Sequence, residues 1–318
     1  MKKIFALICV LVMAFAVTGC GGTEKKSDAG AGKTESKEIV IGLMPDTDSI
    51  PFLIAEKNGY FKEEGVNVKL QPFKSAMDRD AAMQSGNLDG AVSDMLAVAF
   101  AKAGGFDVKV TSFTDGSYRL VAGKDANINA VSALNGKDVA VSKNTIIEYV
   151  TDMILDASKM TGDDINKVSI PQIPTRLEML QNGKLTAATL PEPMGSIAVH
   201  NGCRLVMSSD DLGINPGVMM FTAKTVAERG DDLKKMYRAY NKAVKYLNST
   251  SRDEYIDFVV EKSGFPAAAK EALVIPKYRE AALPAEKDVS DTIAWLNKKG
   301  LINETYKYGD IVVDILSK

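Results

Sequence analysis

From residue 38 onwards, short runs of β-branched and apolar residues alternate with longer stretches of helical periodicity. Glu38-Ile39-Val40-Ile41-Gly42-Leu43 reads as a buried strand. The turn Pro45-Asp46-Thr47-Asp48-Ser49 leads into a helix over Pro51 to Lys57, which stops at Asn58-Gly59. A strand Val66 to Leu70, a helix Ser75 to Gln84, a strand Gly90 to Val92 and a helix Asp94 to Ala103 follow. Val108 to Phe113 and Arg119 to Ala122 are further strands. The order then restarts with a strand ending at Val141, a helix Thr145 to Lys159, a strand Val168 to Ile170, a helix Thr175 to Asn182 and a strand Thr186 to Leu190. Val218 to Thr222 is one more strand, and helices rich in lysine, alanine and tyrosine fill the remainder. Repeated β-then-α order predicts an α/β protein with mostly parallel sheets flanked by helices. Two such units, the second inserted into the first, predict two lobes: residues 38–122 plus 217–318, and residues 123–216. Open α/β sheets take ligands beyond the carboxyl ends of their strands, so a cleft between two such edges is a natural pocket.

The pattern before residue 38 is different. Lys2 and Lys3 precede an apolar run from Ile4 to Val17. A spanning helix needs about 20 apolar residues, so this run reads instead as a secretory signal. Val17-Thr18-Gly19-Cys20 resembles the bacterial lipobox, [LV]-x-[GA]-C, which implies cleavage after residue 19 and lipidation of Cys20. Residues 21–37 contain no hydrophobic residue larger than alanine. Such a segment cannot offset its ordering entropy and is expected to be a flexible tether. It would reach about 20–25 Å as a random coil. The expected location is therefore a cell membrane, with the chain facing outside the cytoplasm and held by lipid alone.

Composition narrows the chemistry. Hydrophobic content of 46% and charged content of 25% suit an ordinary globular protein. A net charge of −2, falling further without Lys2 and Lys3, offers no basic face to nucleic acid. With Cys9 in the signal and Cys20 lipidated, Cys203 is left alone, as a buried thiol leading into a short strand, and no internal disulfide is expected. One histidine, His200, and one thiol supply no metal-ligand cluster, and no cofactor is expected. No Gly-x-Ser-x-Gly turn is present.

The segment from Ile54 to Val68, with Ala55, Gly59-Tyr60-Phe61, Gly65-Val66 and Val68 in register, resembles the A-x-x-x-G-[YF]-F-x-x-x-G-[LV]-x-V signature of ABC-importer substrate-binding proteins. The group includes binders of aliphatic sulfonates, taurine, nitrate and thiamine-pyrimidine precursors. Ala82 to Gly90, Leu134 to Val141 and Leu190-Pro191-Glu192-Pro193 resemble further segments of the group, in the same order. The likeness covers residues 40–220 well and the C-terminal third loosely. It implies a type II periplasmic-binding fold that closes on a small ligand and delivers it to an ABC permease with its ATPase. No catalysis is implied, and a monomer is expected. Two alternatives stand beside import: a module sensing ligand for a membrane receptor, and an enzyme like the thiamine-pyrimidine synthase of the same fold. That enzyme consumes an active-site histidine, and this chain has only His200.

Polar residues just before each helix are the candidate ligand contacts, because helix N-termini present free N–H groups. They are Asp46 and Asp48; Ser75 and Arg79; Ser93 and Asp94; Asn144 and Thr145; Thr175 and Arg176; and Glu192. Ser75-x-x-Asp78, Thr145-x-x-Glu148 and Thr175-x-x-Glu178 have capping-box form, so these hydroxyls serve as caps, contacts or both. Tyr60 and Phe61 read as core. Asp46, Asp48, Asp94 and Glu192 fit a capping role less well, Asp46 and Asp48 standing in a loop before a helix whose expected cap is Ser49; four carboxylates in one cleft would attract an amine or protonated heterocycle. Arg79 and Arg176 would grip an anion bidentately, or be solvated or paired with an aspartate. The mixture favours a zwitterionic or nitrogen-rich organic ligand over a bare inorganic anion.

Overall fold

In the computed structural model, which describes residues 37–317, the chain builds one sheet, leaves it for a second, and returns. The signal, Cys20 and the tether lie outside the described residues, apart from Lys37. The first pass gives β1 (Ile39–Leu43), α1 (Ile50–Lys57), α2 (Tyr60–Glu63), β2 (Val68–Pro72), α3 (Ala76–Gln84), β3 (Gly90–Asp94), α4 (Met95–Ala103) and β4 (Val108–Phe113). The chain crosses and lays down β5 (Tyr118–Ala122), β6 (Asp138–Val141), α5 (Ile146–Ala157), β7 (Asn166–Ser169), α6 (Ile173–Gln181), β8 (Ala187–Pro191), α7 (Met194–His200) and β9 (Arg204–Ser208). It returns through β10 (Gly217–Thr222) and α8 (Ala223–Glu228), then α9 (Gly230–Ser249), α10 (Ile256–Ser263), α11 (Ala269–Ala272), α12 (Glu286–Lys298) and α13 (Tyr308–Ile311).

The two five-stranded sheets have orders β2-β1-β3-β10-β4 and β7-β6-β8-β5-β9. Each is mixed: β10 runs antiparallel to β3 and β4, and β5 antiparallel to β8 and β9. The opposed strand in each case is the one that arrives from the other sheet without a helical crossover, so it enters reversed. The strand Tyr118–Ala122 therefore pairs in the second sheet, whereas the sequence pattern assigned residues up to 122 to the first lobe. Hydrophobicity gave that strand no sheet address, since strands in both sheets are equally apolar. The crossovers are residues 114–117 and 209–216.

Central strands β3 and β8 are buried along their whole length, as expected where helices cover both faces. The long helix α9 buries Leu233, Met236, Tyr237, Tyr240, Val244 and Leu247, one stripe at helical spacing, against α1 and α2. Phe52 and Tyr240 meet there with ring centroids 5.0 Å apart. Phe61 is buried in this core and Tyr60 packs at its edge, as the sequence suggested.

The Leu88-Asp89-Gly90 segment of the signature has a structural explanation. Asp89 Oδ2 accepts the Val40 N–H at 2.8 Å, tying β1 to the turn before β3. Gly90 lies opposite Phe221 of β10, where a Cβ would sit 2.3 Å from the ring and 2.8 Å from the Met220 carbonyl oxygen. Gly90→Ala is expected to cost about 1–3 kcal/mol through overpacking. Urea unfolding would show a lower midpoint at unchanged slope; a midpoint equal to wild type would contradict the packing described.

Candidate functional site

The carboxyl ends of β1, β2 and β3 face those of β6, β7 and β8 across a cavity of about 40 Å³. Pockets for organic ligands are usually hundreds of cubic ångströms. The lobes are thus drawn close together, and a ligand of several heavy atoms requires them to part. Hydrogen bonds already cross between them: Thr47 N–H to the Glu192 carbonyl at 2.9 Å, Ile173 N–H to the Lys74 carbonyl at 3.2 Å, and Gln172 Nε2 to Asp78 Oδ2 at 3.0 Å.

The first lobe contributes Asp46, Asp48, Arg79, Ser93 and Asp94 to the cavity wall; the second contributes Tyr118, Ser142, Thr145 and Arg176. Every carboxylate in the wall therefore comes from one lobe. Asp46 caps the turn Thr47–Ser49, its Oδ1 accepting from Ser49 N at 3.2 Å and Ser49 Oγ at 3.0 Å. This corrects the expectation that Ser49 would cap the first helix and leave Asp46 free: Ser49 makes no side-chain cap to α1. Asp94 is likewise a cap, accepting from Ala97 N–H at 2.9 Å. Asp48 is the exception. It caps no helix: the Thr114 hydroxyl stands beside its carboxyl, and both its oxygens lie against Gly116 in the crossover, where a Cβ would approach to 2.3 and 2.7 Å.

Burial raises all three carboxyls. Asp46 is pushed up to about 6, with Ser49 opposing. Asp48 stands well above the ordinary carboxylate range, because burial is reinforced by the charge of Asp46. Asp94 is raised by burial, with Arg79 opposing. Tyr118, buried beside them, is raised well above its usual value by desolvation and then by Asp48 and Asp46.

The two arginines differ. Arg79 Nε lies 2.8 Å from Asp80, Nη1 donates to the Val92 carbonyl at 3.2 Å, and Nη2 lies 3.9 Å from Asp94. Burial lowers its pKa, but Asp80 and Asp94 outweigh that and hold it above its usual value. Arg176 is fully buried with no carboxylate beside it. Its Nε donates to the Thr189 carbonyl at 2.9 Å and Nη1 to the Ile170 carbonyl at 2.7 Å, leaving Nη2 without a protein partner. Desolvation alone pulls it down to about 9. It stays charged at neutral pH, an uncompensated cation in the second lobe.

Four expected contacts lie outside the cavity wall. Ser75 is the cap of α3, accepting the Asp78 N–H at 3.2 Å, and Asn144 is exposed at the surface. Thr175 is also exposed and caps nothing, because α6 begins earlier, at Ile173, on the proline-containing turn Gln172-Ile173-Pro174. Glu192 is an ion-pair partner of Arg119 and accepts the Ser196 N–H at 3.2 Å; burial raises its pKa against the pull of Arg119. The expected fourth carboxylate is thereby neutralised. Sequence reasoning missed Tyr118 as a wall residue, since its strand had been placed in the other lobe. It also missed the Asp115–Arg279 pair at the crossover, 2.7 Å at each of two contacts, whose partners are far apart in the chain.

Beside the cavity, Thr145 caps α5 by accepting Ile147 N–H at 3.2 Å, and Glu148 Oε2 accepts the Asn144 N–H at 2.8 Å. Glu148 also meets Lys167 at 2.9 Å and Lys299 at 2.7 Å. Lys299 follows α12, which packs on α4 of the first lobe, so this network joins the lobes. Among the described residues no cluster of histidine, cysteine and carboxylates could hold a metal ion. Cys203 is buried, with its thiol pKa raised by desolvation, and no helix of the described residues is long and apolar enough to cross a membrane.

A family model described as NMT1/THI5 like matches residues 46–250. No curated protein sequence matches the chain significantly. Among solved structures, the alkanesulfonate-binding protein SsuA from Xanthomonas axonopodis pv. citri, bound to MOPS, aligns with a TM-score of 0.75 at 16% identity, over 87% of this chain and 98% of that one. The periplasmic nitrate-binding protein NrtA from Synechocystis PCC 6803 gives 0.72 at 12% identity, over 88% and 86%. The desulfurization enzyme DSZB gives 0.66 at 13%, over 88% and 97%. Two mixed sheets flanked by helices are thus the periplasmic-binding-protein fold.

Proposed function

We propose that this chain, which belongs to the NMT1/THI5-like family, is a lipid-anchored solute-binding protein outside the cytoplasm. It captures a small organic ligand in the interlobe cleft and presents it to an ABC permease and its ATPase, acting as a monomer without catalysis. Sulfonate- and nitrate-binding proteins among the structural relatives support the class of activity. The crossovers at residues 114–117 and 209–216 are the hinges on which the lobes part and close.

One observation carries the reading: the two walls of the cavity have opposite, buried and incompletely satisfied charge. Asp46, Asp48 and Asp94 lie on one side with Arg79, and Arg176 lies on the other with the N-terminal turn of α5. A zwitterionic ligand satisfies both walls, its cationic nitrogen at the acids and its anionic group at Arg176. Each buried group costs free energy while unpaired, so closure over such a ligand relieves both lobes at once. A nitrogen-rich heterocycle, protonated at one nitrogen, would satisfy the acidic wall alone.

A thermal-shift screen of pyrimidines, sulfonates, amino acids and polyamines tests this. Saturable stabilisation is expected, about 2.7 kcal/mol at a hundredfold excess over Kd, from compounds bearing both charges. Absence of any stabilising compound would contradict solute capture, and turnover of one would favour the enzyme reading. A ligand-sensing module needs the same closed state; adjacent permease and ATPase genes distinguish import from sensing.

A further inference from the structure

We infer that Asp46 and Asp48 act as one proton-exchanging pair: in the ligand-free cleft a proton is held between them, and the ligand's cationic nitrogen replaces it, so that capture releases a proton. This rests on the solute-binding reading and specifies how the acidic wall selects its ligand.

The two carboxyls stand two residues apart on one loop, 7% and 3% exposed. The cations around them pair first with other carboxylates, and of these Arg79 alone pulls on Asp46. Arg79 is shared between Asp80 and Asp94, Arg279 binds Asp115, and Arg119 binds Glu192. Arg176 belongs to the opposite wall. Asp46 Oδ1 takes both hydrogen bonds from Ser49, whereas Asp48 has only the neutral Thr114 hydroxyl beside it. Two buried like charges without a dedicated counter-ion cannot both ionise at neutral pH, so one proton stays. Burial raises both groups, Asp46 to about 6, and at Asp48 the charge of Asp46 adds to the effect of burial.

Facing the pair are Asp94 and Arg79 from the first sheet and Asp115 from the crossover. Tyr118 faces it from β5, Tyr240 from α9, and Tyr278 and Arg279 from the C-terminal segment. The three tyrosines are raised well above their usual range, by burial first and with Asp48 among the further causes, and remain neutral. Independent evidence for a ligand at this wall is the Ser93 hydroxyl, buried in the cavity wall without a protein partner and able to accept from the ligand's nitrogen.

The step balances simply. The carboxylic O–H bond breaks, its proton passes to buffer, and an N–H of the cationic ligand donates to the new carboxylate; no electron is transferred. Because the cation binds the ionised pair, affinity rises with pH, about tenfold per unit, until the upper midpoint of the free pair is passed.

The test compares two probes, 3-aminopropanesulfonate and propanesulfonate, by calorimetry at pH 7 in phosphate and in Tris. The aminosulfonate is expected to release between about half and one proton, and propanesulfonate none. Asp48→Asn is expected to abolish the release and weaken the aminosulfonate at least tenfold, while propanesulfonate changes less than threefold. No release by the aminosulfonate, or an unchanged release in Asp48→Asn, overturns the exchange. Carboxyl ¹³C titration of the ligand-free protein supplies a second measurement. It is expected to show one aspartate with a midpoint at or above about 7 that is absent from Asp48→Asn. If every aspartate titrates below about 7, the exchange alone is overturned; if the titration is as expected and no compound of any class binds, solute capture falls and takes the exchange with it.

Discussion

Replacing Arg176 with methionine is expected to leave the protein folded, with a melting temperature equal to or above wild type, and to weaken a zwitterionic ligand at least a hundredfold. Two effects compete in the ligand-free protein. The guanidinium satisfies the Thr189 and Ile170 carbonyls, and losing those hydrogen bonds costs about 1–3 kcal/mol each where the carbonyl is left buried and unpaired. Against this, a charge with no carboxylate partner has been taken wholly out of water, which costs several kcal/mol. Methionine keeps most of the volume and removes that burden. Stability gained while binding is lost is the signature of a residue kept for its ligand. Differential scanning calorimetry and titration of 3-aminopropanesulfonate read the two quantities separately. Loss of folding without the arginine, or binding within threefold of wild type, would contradict the role assigned to it.

Glu148→Gln is expected to destabilise the protein by about 3 kcal/mol at pH 7, taking 1.36 kcal/mol per pKa unit. Burial pushes Glu148 up, but the Asn144 N–H, Lys299 and Lys167 prevail and bring it down to about 2 from 4.5, at a side chain 6% exposed. A carboxyl whose folded value is depressed contributes stability above its unfolded value and loses it as pH falls through the folded one. The difference between wild type and Glu148→Gln is therefore full above pH 5 and shrinks between about 4.5 and 2. Urea unfolding of both proteins at pH 7 and pH 2.5 measures it; an equal difference at the two pH values would contradict the network. Because Lys299 reaches Glu148 from the far side of the cleft, the variant also loosens closure, and ligand affinity is expected to fall several-fold.

The sequence disclosed the fold more readily than the site, and particular residues show why. Asp89 and Gly90 belong to a recognisable segment, yet their work is to hold β1, β3 and β10 together. Phe61 is core in the same way. A family signature is written largely in such residues, since every member needs the scaffold whatever it binds. Local pattern also placed Asp46, Asp48, Ser93 and Asp94 at strand ends, where the cavity lies. What it could not supply was pairing across long sequence separations. Arg119 lies 73 residues before Glu192 on a strand whose sheet was undetermined, so its neutralisation of Glu192 was invisible. Thr175 failed for a different reason: Pro174 can occupy the first turn of a helix, so α6 began before the apparent cap. Conversely, nothing in the sequence distinguished Arg176, buried without a counter-ion, from Arg79, held by two aspartates.

The central claim, that opposite charge on the two cleft walls captures one small ligand, is tested most directly by titrating 3-aminopropanesulfonate into wild type, Asp48→Asn and Arg176→Met under identical conditions. A saturable one-to-one isotherm is expected for wild type, weakened at least tenfold by Asp48→Asn and at least a hundredfold by Arg176→Met. Equal affinity in all three proteins would contradict it.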